Sequence, residues 1–279
     1  MWWQYQRARP ALTKAIEGNE RIIVITKVSK YLIFSLIENE RQVITNGVIV
    51  FTAADFKVYS ILNSSYHTEW AATYGSTLES RFRYTPSDCF ETFPFPQNLN
   101  SKQEEELEKI GEAYHEYRKQ LMLGMQLGLT KTYNLFHSAG IKNETIDEKE
   151  KQVIALRKHL DKTEDTISFE KSIEGIIKLR ELHVQMDNAV LNAYGWSKVE
   201  LRHDFYEVDY LPENDRVRFT IHPEARKEIL KRLLELNHKI HDEEVKTGLW
   251  DKKKAVSKKF ESLEVKEPET GYGLFDKEK

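Results

Sequence analysis

Glu79, Arg81 and Arg83 recur at every second position of a short run, Leu78-Glu79-Ser80-Arg81-Phe82-Arg83. In an extended strand this spacing sets one carboxylate and two guanidinium groups on one face, with Leu78, Ser80 and Phe82 on the other. Such a face has a specific chemistry. Arginine donates a bidentate pair to the major-groove edge of guanine, and glutamate accepts from the cytosine amino group. A strand laid along a DNA groove could therefore read successive base pairs with these three side chains. The same pattern also suits a cross-strand ion-pair ladder on an exposed sheet. On the residues alone both readings stand.

Two further groups carry anion chemistry. Lys27, Ser29 and Lys30 make a donor-rich turn at a strand end, suited to phosphate contacts that fix register without reading sequence. Ser64, Ser65 and His67 fall near a helix N-terminus, where free amides and the helix dipole favour an anion. Each, taken singly, is more often an ordinary cap or surface group. His238 and His241 lie about one helical turn apart, but no third ligand of matching geometry accompanies them, and no metal is expected. His115-Glu116 lacks the second histidine of a zinc-protease helix. Glu244-x-Lys246 and Glu264-x-Lys266 sit in a helix and a polar tail, not on the carboxylate-flanked strand that nuclease chemistry requires.

The elements that must position these groups are legible in outline. Arg21–Val28, Tyr31–Ile37 and Gly47–Thr52 are β-branched or aromatic runs of strand length, punctuated by turn residues. Residues 55–62 and 65–74 read as short helices, and 76–84 as one continuous strand. Tyr84 to Pro96 comes next, holding three of the seven prolines with Phe90, Phe93 and Phe95. Proline fixes φ and removes a donor, so this stretch is a stiff strap whose Phe93 and Phe95 are expected to be buried. Cys89 within it reads as a small buried hydrophobe. From Ser101 the pattern turns helical: Leu107, Ile110, Tyr114, Tyr117 and Leu121 recur at three and four residues behind a capping sequence. Further helices are expected after Thr145, over 168–194 and after Pro223, with a strand at 217–221. The expected fold is α+β, a small mixed or antiparallel sheet over 1–96 and a mostly helical domain over 97–250. A flexible tail is expected over 251–279.

Composition narrows the class. With 31% charged and 40% hydrophobic residues, the 279-residue chain is of globular type. It holds no apolar run approaching the ~20 residues of a membrane span. One cysteine excludes an internal disulfide and fits a reducing cytoplasm. A net charge of −3 argues mildly against a nucleic-acid partner. Its distribution answers that objection: residues 1–34 carry six cations against two carboxylates, and the acidic excess lies in the helical half.

A resemblance joins these parts. Trp2, Trp3 and Tyr5 with Arg7 and Pro10; Val28-Ser29-Lys30; Ser64-Ser65 with His67 and Trp70; Tyr74-Gly75-Ser76; the Tyr84–Pro96 strap; Gly128 to His137; and Leu179-Arg180-Glu181-Leu182-His183 with Met186-Asp187 and Trp196 together resemble the C-terminal part of MmeI-like restriction-modification adenine methyltransferases. The resemblance implies a DNA target recognition domain followed by a helical domain. It also implies double-stranded DNA as partner and base-reading roles for Glu79, Arg81 and Arg83. A methyltransferase domain or subunit and a setting in phage defence belong to the same implication. Neither the Gly-rich loop for S-adenosylmethionine nor the Asn/Asp-Pro-Pro-aromatic tetrapeptide that grips a flipped adenine is found here. Catalytic residues and a cofactor are therefore expected in another part of such an enzyme, and this chain is expected to be a fragment or a separate specificity subunit. A helical interaction scaffold without a DNA role is the alternative. The segment 128–137 has no evident physical role in the sequence beyond a guessed buried hinge.

Overall fold

The computed structural model describes residues 9–40, 42–78, 81–142 and 145–249. They form, in chain order, α1 (Pro10–Ile16), β1 (Arg21–Thr26), β2 (Val28–Ser29), β3 (Ser35–Glu38), β4 (Val48–Phe51), α2 (Phe56–Asn63), α3 (Ser65–Tyr74), β5 (Ser76–Leu78), β6 (Arg81–Arg83) and α4 (Pro86–Cys89). After these come α5 (Ser101–Met125), α6 (Leu129–Phe136), α7 (Lys151–Leu160), α8 (Phe169–Ala193), β7 (Asp204–Glu207), a 3-10 turn at Glu213–Asp215, β8 (Val217–Thr220) and α9 (Pro223–Lys246). The fold is α+β, with small antiparallel sheets in the first part and mostly helices after it.

The sheets are ordered β3-β1-β4, β2-β6-β5 and β7-β8, and all pairings described are antiparallel. In β1 the β-branched run RIIVIT buries Ile22, Ile23 and Ile25. Two expectations change here. Tyr31 to Phe34 does not join β3, because side chains replace ladder partners there. The Phe34 amide donates to Asn63 Oδ1 and its carbonyl accepts from Arg118, so the backbone is satisfied without a strand. The run 76–84 is not one strand either. Ser76 pairs with Arg83 and Leu78 with Arg81, so the chain reverses between Leu78 and Arg81 and makes a hairpin.

The helices are capped by short polar side chains, as orphan amides require. Asp55 caps α2, Ser64 caps α3 and Ser168 caps α8. The capping box at α5 is formed by Asn100 and Gln103. Glu150, not Thr145, caps α7. Two glycines let helices meet at backbone distance. A Cβ at Gly111 would collide with the Phe56 carbonyl on α2, and one at Gly175 would collide with Leu121 on α5.

The described residues up to Leu234 form one compact unit, and those from Glu235 another. Hydrophobic packing in the first unit runs across Pro96. Ile23, Phe34, Phe51 and Tyr59 share a core with Tyr114, Leu121, Ile176 and Met186. Ile61, Tyr66, Trp70 and Phe93 share a second with Leu107, Val190, Ile221 and Ile229. In the second unit, the described helix ends at a left-handed Gly248. The tail from 251 onward lies outside the described residues.

The strap is clamped on several sides. Cys89 and Phe93 are buried, while Phe95 is half-buried. The Phe93 ring stands edge-on to His67 at 4.6 Å and to Trp70 at 6.1 Å. The Trp70 indole donates to Thr92, and the Tyr194 hydroxyl donates to the Pro94 carbonyl. Phe93→Ala is expected to destabilise the chain by roughly 3–5 kcal/mol, the cost of emptying a well-packed aromatic site. Urea unfolding measures it, and a loss under about 1 kcal/mol would make the strap a mere tether.

Candidate nucleic-acid interface

The central feature of the β2-β6-β5 sheet is the three-residue strand β6. Phe82 points into the core and is buried, while Arg81 and Arg83 on either side of it are exposed. The register tests the ladder reading. Opposite Arg83 stand Val28 on one side and Ser76 on the other, and opposite Arg81 stands Leu78. These directly facing positions hold no carboxylate. Glu79 lies outside the described residues.

Lys27 is exposed where β1 passes into β2, tied by its backbone to Gly47 and Tyr84. Its carbonyl thus accepts from Tyr84, the residue that follows β6. Lys30 is engaged more closely. Its ammonium sits 3.2 Å from Asp215 and 3.1 Å from Asn134 Oδ1. Asp215 also pairs with Arg218 at 2.9 Å, and the Arg218 guanidinium lies 5.4 Å from the Tyr31 ring centroid. Burial pushes the Asp215 carboxyl upward, but its bonds to Arg218 and Lys30 outweigh this and leave its pKa below the ordinary value. Ser29 closes a local turn, its hydroxyl bonded to the Tyr31 backbone. Ser29 therefore shapes the turn that presents Lys30.

Ser64, Ser65 and His67 are corrected: all three are interior. Ser64 caps α3 and donates to the Ile61 carbonyl at 2.7 Å. Ser65 gives both its amide and its hydroxyl to the buried Asp187, at 2.8 and 2.6 Å. His67 is fully buried and its Nε2 meets the Tyr84 hydroxyl at 2.9 Å. Burial lowers its pKa to about 3, so the ring is neutral. Groups consumed in this way are not available to a phosphate.

Two stretches that the sequence left without a role now have one. α6 is a bolt between the sheet region and the long helices. Its Asn134 accepts from Lys30 and from the Tyr31 hydroxyl at 2.7 Å. Its Tyr133 hydroxyl meets Tyr114 at 2.7 Å and accepts from the buried Arg118 at 3.2 Å. The carbonyls at its C-terminal end are collected by Arg180 of α8, which bonds Leu135, Phe136, Ser138 and Ile141. Lysine-like flexibility would not serve there, since a planar fork with five donors fits several carbonyls at once. Burial draws the Arg180 pKa down to about 10, so the group stays charged at neutral pH.

Residues from far along the sequence also back the sheet. Tyr210 packs on Phe82, and the 3-10 turn brings Asp215 to Lys30. No local pattern in 203–216 marks either residue; only the aromatic content of Phe205, Tyr206 and Tyr210 hints at packing. Among the described residues, no helix is long and apolar enough to cross a membrane.

Residues 6–97 match the family model of the MmeI target recognition domain. The chain carries an MmeI-like target recognition domain. The matched span includes β6, Lys27, Lys30 and the whole strap. Among solved structures, the Type IIL restriction-modification enzyme MmeI in complex with DNA is similar at 18% identity and a TM-score of 0.47. That similarity covers 81% of this chain and 22% of the other, so this chain spans under a quarter of that enzyme's length. No curated protein matches. Arg180, Tyr210 and Asp215 all lie C-terminal to the matched target recognition domain, yet they hold it in place.

Proposed function

We propose that this chain is a DNA sequence-recognition module of a restriction-modification enzyme. β6 would enter the major groove, with Arg81 and Arg83, together with Glu79, as base readers. The observation that carries the reading is the presentation of two exposed arginines on a short strand inside the span matched to a target recognition domain. Lys27 would neutralise a phosphate and Lys30 a second, in exchange for its present carboxylate partner. On this reading the target adenine and S-adenosylmethionine belong to an adenine methyltransferase domain or subunit, for which this chain supplies specificity. Defence against phage DNA in the cytoplasm is the setting that fits such an enzyme.

Selection of binding sites from a randomised duplex pool tests this. Arg81→Ala is expected to cost about 1–3 kcal/mol on the preferred site and to relax preference at one base pair. Lys27→Ala is expected to weaken all sequences alike and to flatten the salt dependence of log K by about one. If Arg81→Ala leaves the selected motif intact while lowering thermal stability, Arg81 is a structural residue and the assignment fails.

A further inference from the structure

The strand that carries the two exposed arginines is short. β6 has three residues, flanked by two residues of β2 and three of β5. A ladder of this length gives little stiffness by itself, so the height of β6 above the body depends on what lies behind it. Behind it is Phe82, the residue that alternates inward between Arg81 and Arg83. The Phe82 ring meets the Tyr210 ring at 5.6 Å, tilted by 56°. Tyr210 is in turn anchored, its hydroxyl donating to the buried Glu69 Oε1 at 3.4 Å. Glu69 faces Arg226 at 4.0 Å, and Arg226 donates to the Glu207 carbonyl at the end of β7. Tyr210 is therefore fixed at its tip by α3 and α9, and it meets the strand with its ring.

A second observation gives this contact its importance. A cavity of about 70 Å³ adjoins the same place, lined by Phe82, Tyr210, Tyr31, Arg218 and Phe219 among others. Phe82 is thus not enclosed by close packing on every side. With Tyr210 removed, the ring would have room to sink and the strand would tilt with it. Bidentate contact with a base edge tolerates displacement of only about 0.5 Å and 10–20°. Contact of a flexible lysine with a phosphate is far more forgiving, because the ammonium acts as a point charge.

We propose that Tyr210, outside the matched domain, is a positioning residue that sets the depth of β6 and so the sharpness of base reading by Arg81 and Arg83. The proposal rests on the base-reading function of this sheet. It separates specificity from affinity: the back support governs which bases are accepted, and the lysines govern how tightly any duplex is held.

The test is site selection by the full chain from a randomised duplex pool, with salt titrations of binding to a fixed non-specific duplex. Tyr210→Ala is expected to flatten the motif at the positions that Arg81→Ala and Arg83→Ala flatten, by about tenfold in discrimination. Non-specific affinity and salt slope are expected to stay within about twofold, since phosphate contacts alone set them. Tyr210→Phe, which keeps the ring, is expected to retain the motif. Tyr210→Leu gives the same comparison with a filled core should the alanine variant fail to fold. Folded Tyr210→Ala or Tyr210→Leu protein with an unchanged motif overturns the proposal while leaving base reading intact. Equal loss of affinity for all sequences overturns it also. A wild-type chain that selects no motif overturns the underlying function, and the positioning role with it.

Discussion

Arg180→Ala is expected to destabilise the chain by about 2–6 kcal/mol, because the Phe136 and Ile141 carbonyls lose the guanidinium, while those of Leu135 and Ser138 keep only their backbone donors. A buried polar group left unsatisfied costs about 1–3 kcal/mol. The guanidinium also lies 4.8 Å from the Phe205 ring centroid and 5.4 Å from that of Phe219, so its removal loosens the β7-β8 hairpin. Since that hairpin leads into Tyr210 and Asp215, the damage extends to the support of β6. Arg180→Lys is expected to recover less than half of the loss, as one ammonium cannot reach carbonyls spread from residue 135 to residue 141. Urea unfolding of both variants measures this. An alanine variant within about 1 kcal/mol of wild type would show that the carbonyls are hydrated and that Arg180 is dispensable.

Arg180 also shows why part of this molecule was legible in the sequence and part was not. Features set by local chemistry were readable: the β-branched run of β1, the periodic core of α5 with Leu107, Tyr114 and Leu121, the stop at Gly195, and the burial of Phe93 in a proline-stiffened strap. Features that depend on a distant partner were not. Ser65 looks like a surface cap until Asp187, 122 residues away, receives both its donors. Tyr31 to Phe34 has strand composition, yet Asn63 and Arg118 satisfy its backbone from helices. Arg180 reads as one more charge on a helix, and only the fold shows the end of α6 against it.

The reading strand is the instructive middle case. Alternation of charge from Glu79 to Arg83 was visible, and it led to a continuous strand. A hairpin reversal usually announces itself with glycine or asparagine at positive φ. Glu79 and Ser80 give no such signal, so the reversal between β5 and β6 was hidden. The exposure of Arg81 and Arg83 on one face survives the change, because it depends only on the period of β6 itself.

Asp187 carries the second large effect. It is fully buried on α8 and accepts from the Ser65 amide and hydroxyl and from His203 Nε2 at 2.8 Å. His183 Nε2 lies 3.3 Å from Ser65 Oγ, whose proton is committed to Asp187, so the histidine donates there and leaves its Nδ1 unpartnered. Burial alone would raise the Asp187 pKa, but the facing imidazoles and the Ser65 bond reverse this and hold it below the ordinary aspartate value. Asp187→Ala is expected to cost about 3–5 kcal/mol at pH 7, the penalty for stripping one partner from a buried charge-assisted network. The sign with pH is set by the direction of the shift. A carboxylate with a depressed folded pKa contributes stability above its unfolded value of about 4 and loses it only as pH falls further. The difference between wild type and Asp187→Ala is therefore expected not to shrink between pH 8 and pH 5. Wild type itself behaves otherwise over that window. His67 is held neutral down to about pH 3, and burial also lowers the His183 pKa. An imidazole depressed in the folded state lets the unfolded chain bind the proton first, so stability falls as pH drops below about 6.5, by about 1.4 kcal/mol per pH unit for His67. Urea unfolding of wild type and variant at pH 8, 7, 6 and 5 separates the two effects. A difference that fades by pH 5 would place the titration of Asp187 in the wrong range and show that Ser65 and the imidazoles do not hold its charge.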